Sequence, residues 1–358
     1  MYWTRAADCV KLRGMRDLPE NLAQQLLPWY EKNRRDLPWR QNATPYRVWV
    51  SEIMLQQTRI ETAKGYFSRF MEAFPDMKSL AAADEEAVLK VWEGLGYYSR
   101  ARNLHEAAKR ICMEYGGELP ADFKSLRELP GVGDYTAGAI ASIAFGLPEP
   151  AVDGNVLRVC ARLTCCARDI GEPAVKMAFR RALRDLYPAG SCGAFTSALM
   201  ELGETVCTPG LPACARCPLA GSCGACQKQE QDEFPVMPVK KARRIEARTV
   251  FLLEHGGCVA LRKRPEVGLL AKLWEFPNTE GLLTAAQAIA QAISWGCDPR
   301  GIEPCGQAVH IFTHLEWHMT GWRIDCGEAP GRFEWTHNAG QYAIPAAFRA
   351  YKEEENIL

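Results

Sequence analysis

The sequence carries no surplus of either charge. Its 43 lysines and arginines are matched by 43 aspartates and glutamates. Up to Cys226 the balance is 28 basic to 26 acidic residues, and after it 15 to 17. A global field drawing the whole surface to a polyanion is thereby excluded, so any nucleic-acid contact must rest on a local basic patch. No apolar run is long enough to span a bilayer. The opening residues, Met1 to Asp8, lack the apolar core of a secretory signal, so export is not expected. Internal repeats and low-complexity tracts are absent. With 47% hydrophobic and 24% charged residues, wholesale disorder and a fibrous repeat are excluded as well.

What is present is a chain of 358 residues, enough for two or three domains with cores of their own, and fifteen cysteines. At this length the cysteines fit a cytosolic protein with a metal site and scattered buried thiols better than a disulfide framework. Residues 20–205 read as mostly helical, with apolar positions at helical spacing from Ala81 to Trp92 and from Ala101 to Met113. Thr44-Pro45 reads as an N-cap and first-turn proline opening a helix through about Gln57. The Cys-, Pro- and Gly-rich stretch 207–226 cannot form a regular element. Residues 227–246, polar and ending in Lys240-Lys241-Ala242-Arg243-Arg244, read as a linker. Beyond it the texture changes. Thr249 to Leu253 is strand-like, and residues 284–294 form one amphipathic helix. From Val309 to Met319 the residues alternate, placing Val309, Ile311, Thr313, Leu315 and Trp317 on one side of a strand or hairpin. The expected organisation is a mostly α catalytic region over 18–226, the linker 227–246, and an α+β domain over 247–358.

Four groups of residues carry candidate chemistry. Cys207, Cys214, Cys217 and Cys223 are spaced C-x6-C-x2-C-x5-C among prolines. Four soft thiolates in one loop suit an iron–sulfur cluster or zinc, and the single C-x2-C pair favours the cluster. Cys226 is a bystander on this reading. Leu129-Pro130-Gly131-Val132-Gly133-Asp134 lies between helical stretches. Gly131 and Gly133 permit a tight turn whose amides can bind a phosphate, or simply turn a corner. Trp49, Glu52, Gln56 and Arg59 fall on one helical stripe under the apolar cover of Val48, Val50, Ile53, Met54 and Leu55. A buried Glu52 would have a raised pKa suited to a general acid, and an exposed one would be an ordinary surface glutamate. Asp153, in Val152-Asp153-Gly154-Asn155, precedes a helical run as a natural N-cap. Backbone donors there would also hold it ionised, as a nucleophile or cation stabiliser must be.

Together these pieces resemble the helix-hairpin-helix DNA glycosylases of the endonuclease III superfamily, and within it the MutY-type adenine DNA glycosylases. The resemblance rests on Leu37-Pro38-Trp39-Arg40, the stretch from Trp49 to Thr58, Glu93-Gly94-Leu95-Gly96-Tyr97-Tyr98-Ser99-Arg100, the glycine hairpin, Val152 to Val156 and the four-cysteine loop. It implies a monofunctional base-excision enzyme that binds double-stranded DNA and removes adenine opposite 8-oxoguanine or guanine. Tyr135 stands where lyases of the superfamily carry a Schiff-base lysine. By the same resemblance Glu52 protonates adenine N7, Asp153 stabilises the oxocarbenium-like sugar, and Tyr135 and Asn155 position them. Trp39 and Arg40 match pocket residues. Gln57, Thr58, Leu95 and Tyr97 match residues at the lesion or wedged in the base stack. The cysteines hold a [4Fe–4S] cluster that supports DNA binding. The C-terminal part is similar to a Nudix domain, with Phe312-Thr313-His314 matching the family's Phe-Ser-His element for 8-oxoguanine. Gly281 to Trp295 has no carboxylate to hold Mg²⁺, so no pyrophosphatase activity is expected. His310, His314 and His318 at i+4 spacing would suit zinc only on a helix, which the alternation opposes. The family also implies a monomer with no membrane contact, in the bacterial cytoplasm at the nucleoid. Rival readings are a thymine–guanine mismatch glycosylase, a non-catalytic iron–sulfur DNA-binding protein and a nucleotide hydrolase.

Overall fold

The computed structural model describes residues 17–238 and 242–354. The opening Met1–Asp8 stretch and the linker lysines Lys240 and Lys241 lie outside the described residues. In chain order the helices are α1 (Leu22–Asn33), α2 (Pro45–Leu55), α3 (Ile60–Ala73), α4 (Met77–Ala82), α5 (Glu85–Val91), α6 (Ser99–Tyr115), α7 (Phe123–Arg127), α8 (Asp134–Phe145), α9 (Gly154–Thr164), α10 (Pro173–Arg184), α11 (Cys192–Thr205) and α12 (Gly224–Lys228). Then follow β1 (Arg244–His255), β2 (Cys258–Lys263), β3 (Trp274–Glu275), β4 (Asn278–Glu280), α13 (Ala285–Ser294), β5 (Pro299–Ile311), β6 (Leu315–Cys326), β7 (Glu334–Thr336) and α14 (Arg349–Glu354). The described residues fall into two compact units, those within Met1–Ala82 and Asn103–Val239, and those within Ala83–Arg102 and Lys240–Leu358. The segment Ala83–Arg102 thus groups with the C-terminal unit, although its sequence reads with the helical half. Among the described residues no helix is long and apolar enough to cross a membrane.

In the first unit the local signals act as the sequence suggests. Thr44 caps α2 by accepting the Arg47 N–H, with Pro45 in the first turn. The helix ends at Leu55, two residues short of the expected end, because Gln57 takes a positive φ of 56°. Arg59 therefore lies beyond the helix, and the expected stripe from Trp49 to Arg59 holds only as far as Glu52 and the C-cap Gln56. The run Ala81–Trp92 is likewise two helices rather than one, since Asp84 in extended conformation starts α5 afresh. A core of Leu22, Leu26, Phe179, Phe195, Leu199 and Leu202 joins α1, α10 and α11 to the apolar face of α9. Residues 227–238 do not run free. Ile170 donates its N–H to the Val236 carbonyl at 3.1 Å, and Arg162 donates to the Gln231 and Phe234 carbonyls.

The second unit is built on a sheet in the order β3-β2-β1-β6-β5, with β4 added to β1 and β7 to β2. β1 and β6 are parallel, pairing Arg244 with Leu315 through Glu254 with Asp325. Val250 and Leu252 enter one core with Phe276, Trp317 and Phe348. Phe251 and Leu253 enter another with Ala288 and Ala292 of α13 and Trp295. Both faces of β1 are covered, so its apolar run is continuous rather than alternating. α13 is set by a complete capping box between Thr284 and Gln287. The alternation from Val309 onward is a hairpin, β5–β6, but its faces differ from expectation. Val309 pairs with His318 and Ile311 with Glu316, while His310 pairs with Trp317. Paired residues share a face, so the turn at 312–314 reverses the parity. Val309 and Ile311 are 59% and 56% exposed while Trp317 is buried.

One close approach in the first unit is testable. Gly138 lies where α8 passes the 150–151 backbone, and a Cβ there would overlap the Pro150 carbonyl. Alanine gains up to about 1 kcal/mol of helix preference over glycine, whereas overpacking against fixed backbone costs about 1–3 kcal/mol. Gly138→Ala is therefore expected to lower the urea midpoint, and an unchanged or higher midpoint would refute the contact.

Candidate active site

The first unit contains a cavity of about 1010 Å³ lined by Trp39, Arg40, Glu52, Gln57, Thr58, Tyr135, Asp153, Asn155, Arg158, Met200, Glu201 and Glu204, among others. Residues as far apart in sequence as Trp39 and Glu204 meet here because α2, α8, α9 and α11 each deliver side chains from an end or an inward face. Glu52 leaves the buried face of α2 and is 6% exposed. Tyr135, in the first turn of α8, donates its hydroxyl to Glu52 Oε2 at 2.6 Å. Asp153 caps α9. Its Oδ1 accepts the Val156 N–H at 2.7 Å and its Oδ2 the Asn155 Nδ2 at 2.9 Å. Asp153 is thus both helix cap and cavity residue, because capping points the carboxylate at the exposed start of the helix.

The electrostatics differ from group to group. Burial pushes the Glu52 carboxyl up to about 7. Tyr135 and Arg40 oppose the shift, while the charges of Asp153 and Glu204 add to it. Burial next to Glu52 and Asp153 holds the Tyr135 hydroxyl well above its usual range, so it stays a donor. Burial also raises Asp153, against the Val156 and Asn155 donors and the Arg158 charge. The sequence leads to the expectation that backbone donors hold Asp153 ionised. The net direction is upward because desolvation outweighs them. Glu201 follows the opposite course. Burial would raise it, but Arg35 and Arg40 bring it below its usual value. Arg35 Nε donates to Glu201 Oε1 at 2.6 Å and Arg40 Nη2 to Oε2 at 2.8 Å.

Arg35, Arg158, Glu201 and Glu204 were not singled out from the sequence. A signal was present: Glu201 interrupts the apolar run Ala198-Leu199-Met200 on α11, and a charge embedded in such a run is usually paired. Arg158 donates to the Asn155 side chain at 2.8 Å, to the Gly203 carbonyl at 2.7 Å and to the Cys207 carbonyl at 2.8 Å. One guanidinium therefore ties the Asp153–Asn155 turn to the start of the cysteine loop. Arg162, one turn further along α9, donates to Cys207 Sγ at 3.4 Å.

The cysteine loop wraps through two 3₁₀ turns, Cys214–Arg216 and Ala220–Ser222. Among the described residues, no three His, Cys, Asp or Glu side chains converge tightly enough for one metal ion. Burial pushes the Cys217 thiol up to about 12, and Cys207, Cys223 and Cys214 all lie near enough to add to that shift. Four thiols grouped in one loop are a soft donor set suited to a thiolate-bound metal group. Arg158 and Arg162 are 8% and 3% exposed. Among the described residues neither has a carboxylate within ion-pair distance. Two such cations beside the loop suit an anionic, thiolate-bound group.

The remaining candidates lie elsewhere. Gly131 has φ 75°, and a Cβ there would strike Asn103. Gly133 is the N-cap of α8, with open space before it. Leu95, Tyr97, Phe312, Thr313 and His314 belong to the second unit. Leu95 is 6% exposed, which does not suit a wedge, whereas Tyr97 is 45% exposed and has φ 49°. Its hydroxyl lies 3.0 Å from Thr313 Oγ1. Tyr98 packs in the core, its hydroxyl accepting the Gly94 N–H. Phe312 anchors the hairpin turn against Trp317, with ring centroids 4.9 Å apart, and leaves Thr313 and His314 exposed at the tip.

Comparisons with known proteins agree with this layout. Residues 50–185 match the HhH-GPD superfamily of base excision DNA repair proteins, and residues 249–354 match the NUDIX domain. The adenine DNA glycosylase of Mus musculus is 34% identical over an alignment covering 92% of this chain and 77% of that protein. The adenine DNA glycosylase of Homo sapiens is 36% identical, over 81% of this chain and 64% of its own length. That of Buchnera aphidicola is 32% identical over 83% and 84%. Among solved structures, a thermostable thymine-DNA glycosylase superposes with a TM-score of 0.51 at 28% identity, covering 57% of this chain and 94% of its own. An endonuclease III trapped on DNA shares the fold, at TM-score 0.50 and 24% identity, over 59% and 99%. With relatives at this identity along most of its length, a helical HhH-GPD part holding the cavity and a Nudix-like part after it, the chain belongs to the adenine DNA glycosylases.

Proposed function

We propose that this chain removes adenine paired with 8-oxoguanine, or with guanine, from double-stranded DNA, as a monofunctional glycosylase. The observation that carries the reading is a buried Glu52, titrating near 7 under a hydrogen bond from Tyr135, on one cavity with Asp153. A base must leave the stack to reach such a cavity, at a cost of a few kcal/mol that a mispair reduces. With its carboxyl pushed up to about 7, Glu52 carries a proton in a substantial fraction of molecules at neutral pH and delivers it to the adenine ring at N7, making the base a better leaving group. Asp153, with a hydrogen bond to each oxygen and Arg158 nearby, faces the sugar as it becomes cationic. Asn155 fixes Asp153, and Arg158 fixes Asn155. Tyr135 holds the proton-bearing group in place and has no amine for a Schiff base. Trp39, Arg40, Gln57 and Thr58 shape the cavity wall.

Cys207, Cys214, Cys217 and Cys223 hold a [4Fe–4S] cluster in this reading. Such a cluster would supply a rigid tie across the loop, and Arg162, which donates to Cys207 Sγ, would balance thiolate charge. Gly131 and Gly133 offer backbone amides to a phosphate at the start of α8. In the second unit Thr313 and His314, with Tyr97, read the lesion partner. Thr313 keeps the hydroxyl of the family serine and adds a methyl. With no carboxylate between Gly281 and Trp295 the Nudix-like unit binds without hydrolysing free nucleotides. The enzyme works as a monomer where the chromosome lies, in the cytoplasm.

Single-turnover assays on duplexes with adenine opposite 8-oxoguanine, guanine and thymine test this reading. Wild type is expected to release adenine from the first two and not the third. Glu52→Gln and Asp153→Asn should each slow release by at least about 100-fold. Absence of adenine release from every duplex, or release of thymine opposite guanine instead, would overturn it.

The same glutamate makes a stability prediction. A carboxyl raised in the folded state binds its proton more tightly there, so folding loses stability as pH climbs from about 4.5 to 7. Glu52→Gln removes that loss. Its melting temperature should exceed wild type above pH 7, by the equivalent of about 3 kcal/mol, and the advantage should vanish below pH 4.5. Equal pH dependence in the two proteins would show that Glu52 titrates normally.

A further inference from the structure

The Nudix-like unit holds a thiol paired with a base that base excision does not use. β2 starts at Cys258, directly after the turn Gly256-Gly257, whose residues have φ of 56° and 77°. Two positive φ values in a two-residue loop are the type I′ hairpin geometry, which fixes the first residue of the following strand. β7 runs antiparallel to β2 with Val259 opposite Thr336, so His337 comes to lie beside Cys258. Cys258 Sγ is 3.3 Å from His337 Nε2. On the other side of the ring, His337 Nδ1 is 3.1 Å from the Gly257 carbonyl oxygen. A carbonyl can only accept, so Nδ1 carries the hydrogen, and in the neutral ring Nε2 holds the lone pair. The thiol is the donor, the imidazole its acceptor, and a backbone carbonyl orients the base. This is the arrangement that activates a cysteine nucleophile. Access is open as well, with Cys258 half-buried and His337 exposed. Cys160, Cys165, Cys166, Cys192, Cys297, Cys305 and Cys326 are by contrast buried, and the half-buried Cys112 lies with its Sγ 3.8 Å from the Met77 carbonyl oxygen.

We propose that Cys258 is a thiol-modification site for low-molecular-weight disulfides, with His337 as its base. The Cys258 thiol passes its proton to His337 Nε2, and the thiolate attacks one sulfur of the small disulfide. A new S–S bond forms to Cys258 as the old one breaks. The departing thiolate leaves with the electron pair and takes up a proton. The small disulfide is the only oxidant required.

The test incubates the full-length, cluster-loaded protein with glutathione disulfide and maps modified peptides by mass spectrometry over time. Cys258 should acquire the mixed disulfide before Cys112. His337→Gln and His337→Asn, each checked for native circular dichroism, should slow that reaction by about threefold or more. The lost thiolate fraction outweighs the gain in intrinsic nucleophilicity. Cys258→Ser should abolish the modified peptide. A Cys258 that reacts no faster than Cys112, or one whose rate is unchanged in both His337 variants, would overturn the proposal.

Discussion

The site depends on one constraint: a carboxyl group removed from water must either find a cation or keep its proton. Two glutamates on the same cavity take the two courses. Glu201, with a fully buried side chain, has Arg35 and Arg40 on its oxygens and is held ionised. Glu52, equally hidden, has the Tyr135 hydroxyl and two further carboxylates near it, so burial wins and it holds its proton to about 7. An unpaired buried charge costs several kcal/mol, more than one hydrogen bond returns. The arginine pair hydrogen-bonds Glu201, and at Glu52 the Arg40 charge acts only as a smaller opposing contribution that burial outweighs.

The scaffold makes that division possible by using helix termini. α9 begins at Asp153, and its first turn supplies the donors that hold the carboxylate. The same helix carries Arg158 and Arg162 back to the cysteine loop. α8 begins at the glycine hairpin and places Tyr135 over Glu52. A helix start offers unpaired N–H groups and a fixed direction, so two starts meeting at one cavity orient an aspartate and a tyrosine without long flexible side chains. Gly138, where α8 has no room for a Cβ, lets the helix sit close enough to the 150–151 backbone for the two starts to converge.

Much of this was legible in the sequence, for identifiable reasons. Thr44-Pro45, Asp153-Gly154-Asn155 and Thr284 through Gln287 are local devices, and each acts within four residues of itself. The cysteine ladder and the glycine hairpin are similarly self-contained. What escaped was non-local. Nothing near Glu201 tells that Arg35 and Arg40 will reach it, and nothing near Asp153 tells that burial will outweigh its donors. The end of α2 was misjudged because Gln57, which can enter the left-handed region only at a cost, gives no composition signal. The faces of β5 and β6 were misassigned because alternation was carried through the turn at Phe312–His314, where hairpin pairing restarts the parity. Ala83–Arg102 reads as part of the helical half because helical periodicity records local amphipathicity and not which compact unit the segment joins.

The central claim is that Glu52 holds its proton into the neutral range because burial outweighs the hydrogen bond and the charge that oppose it. Difference infrared spectroscopy of the carboxyl stretch, comparing wild type with Glu52→Gln across pH 4 to 9, measures this directly. The account predicts a protonated carboxyl that loses its proton with a midpoint near 7, and a higher midpoint in Tyr135→Phe, where the opposing hydrogen bond is gone. A midpoint near 4.5, the ordinary glutamate value, would contradict it.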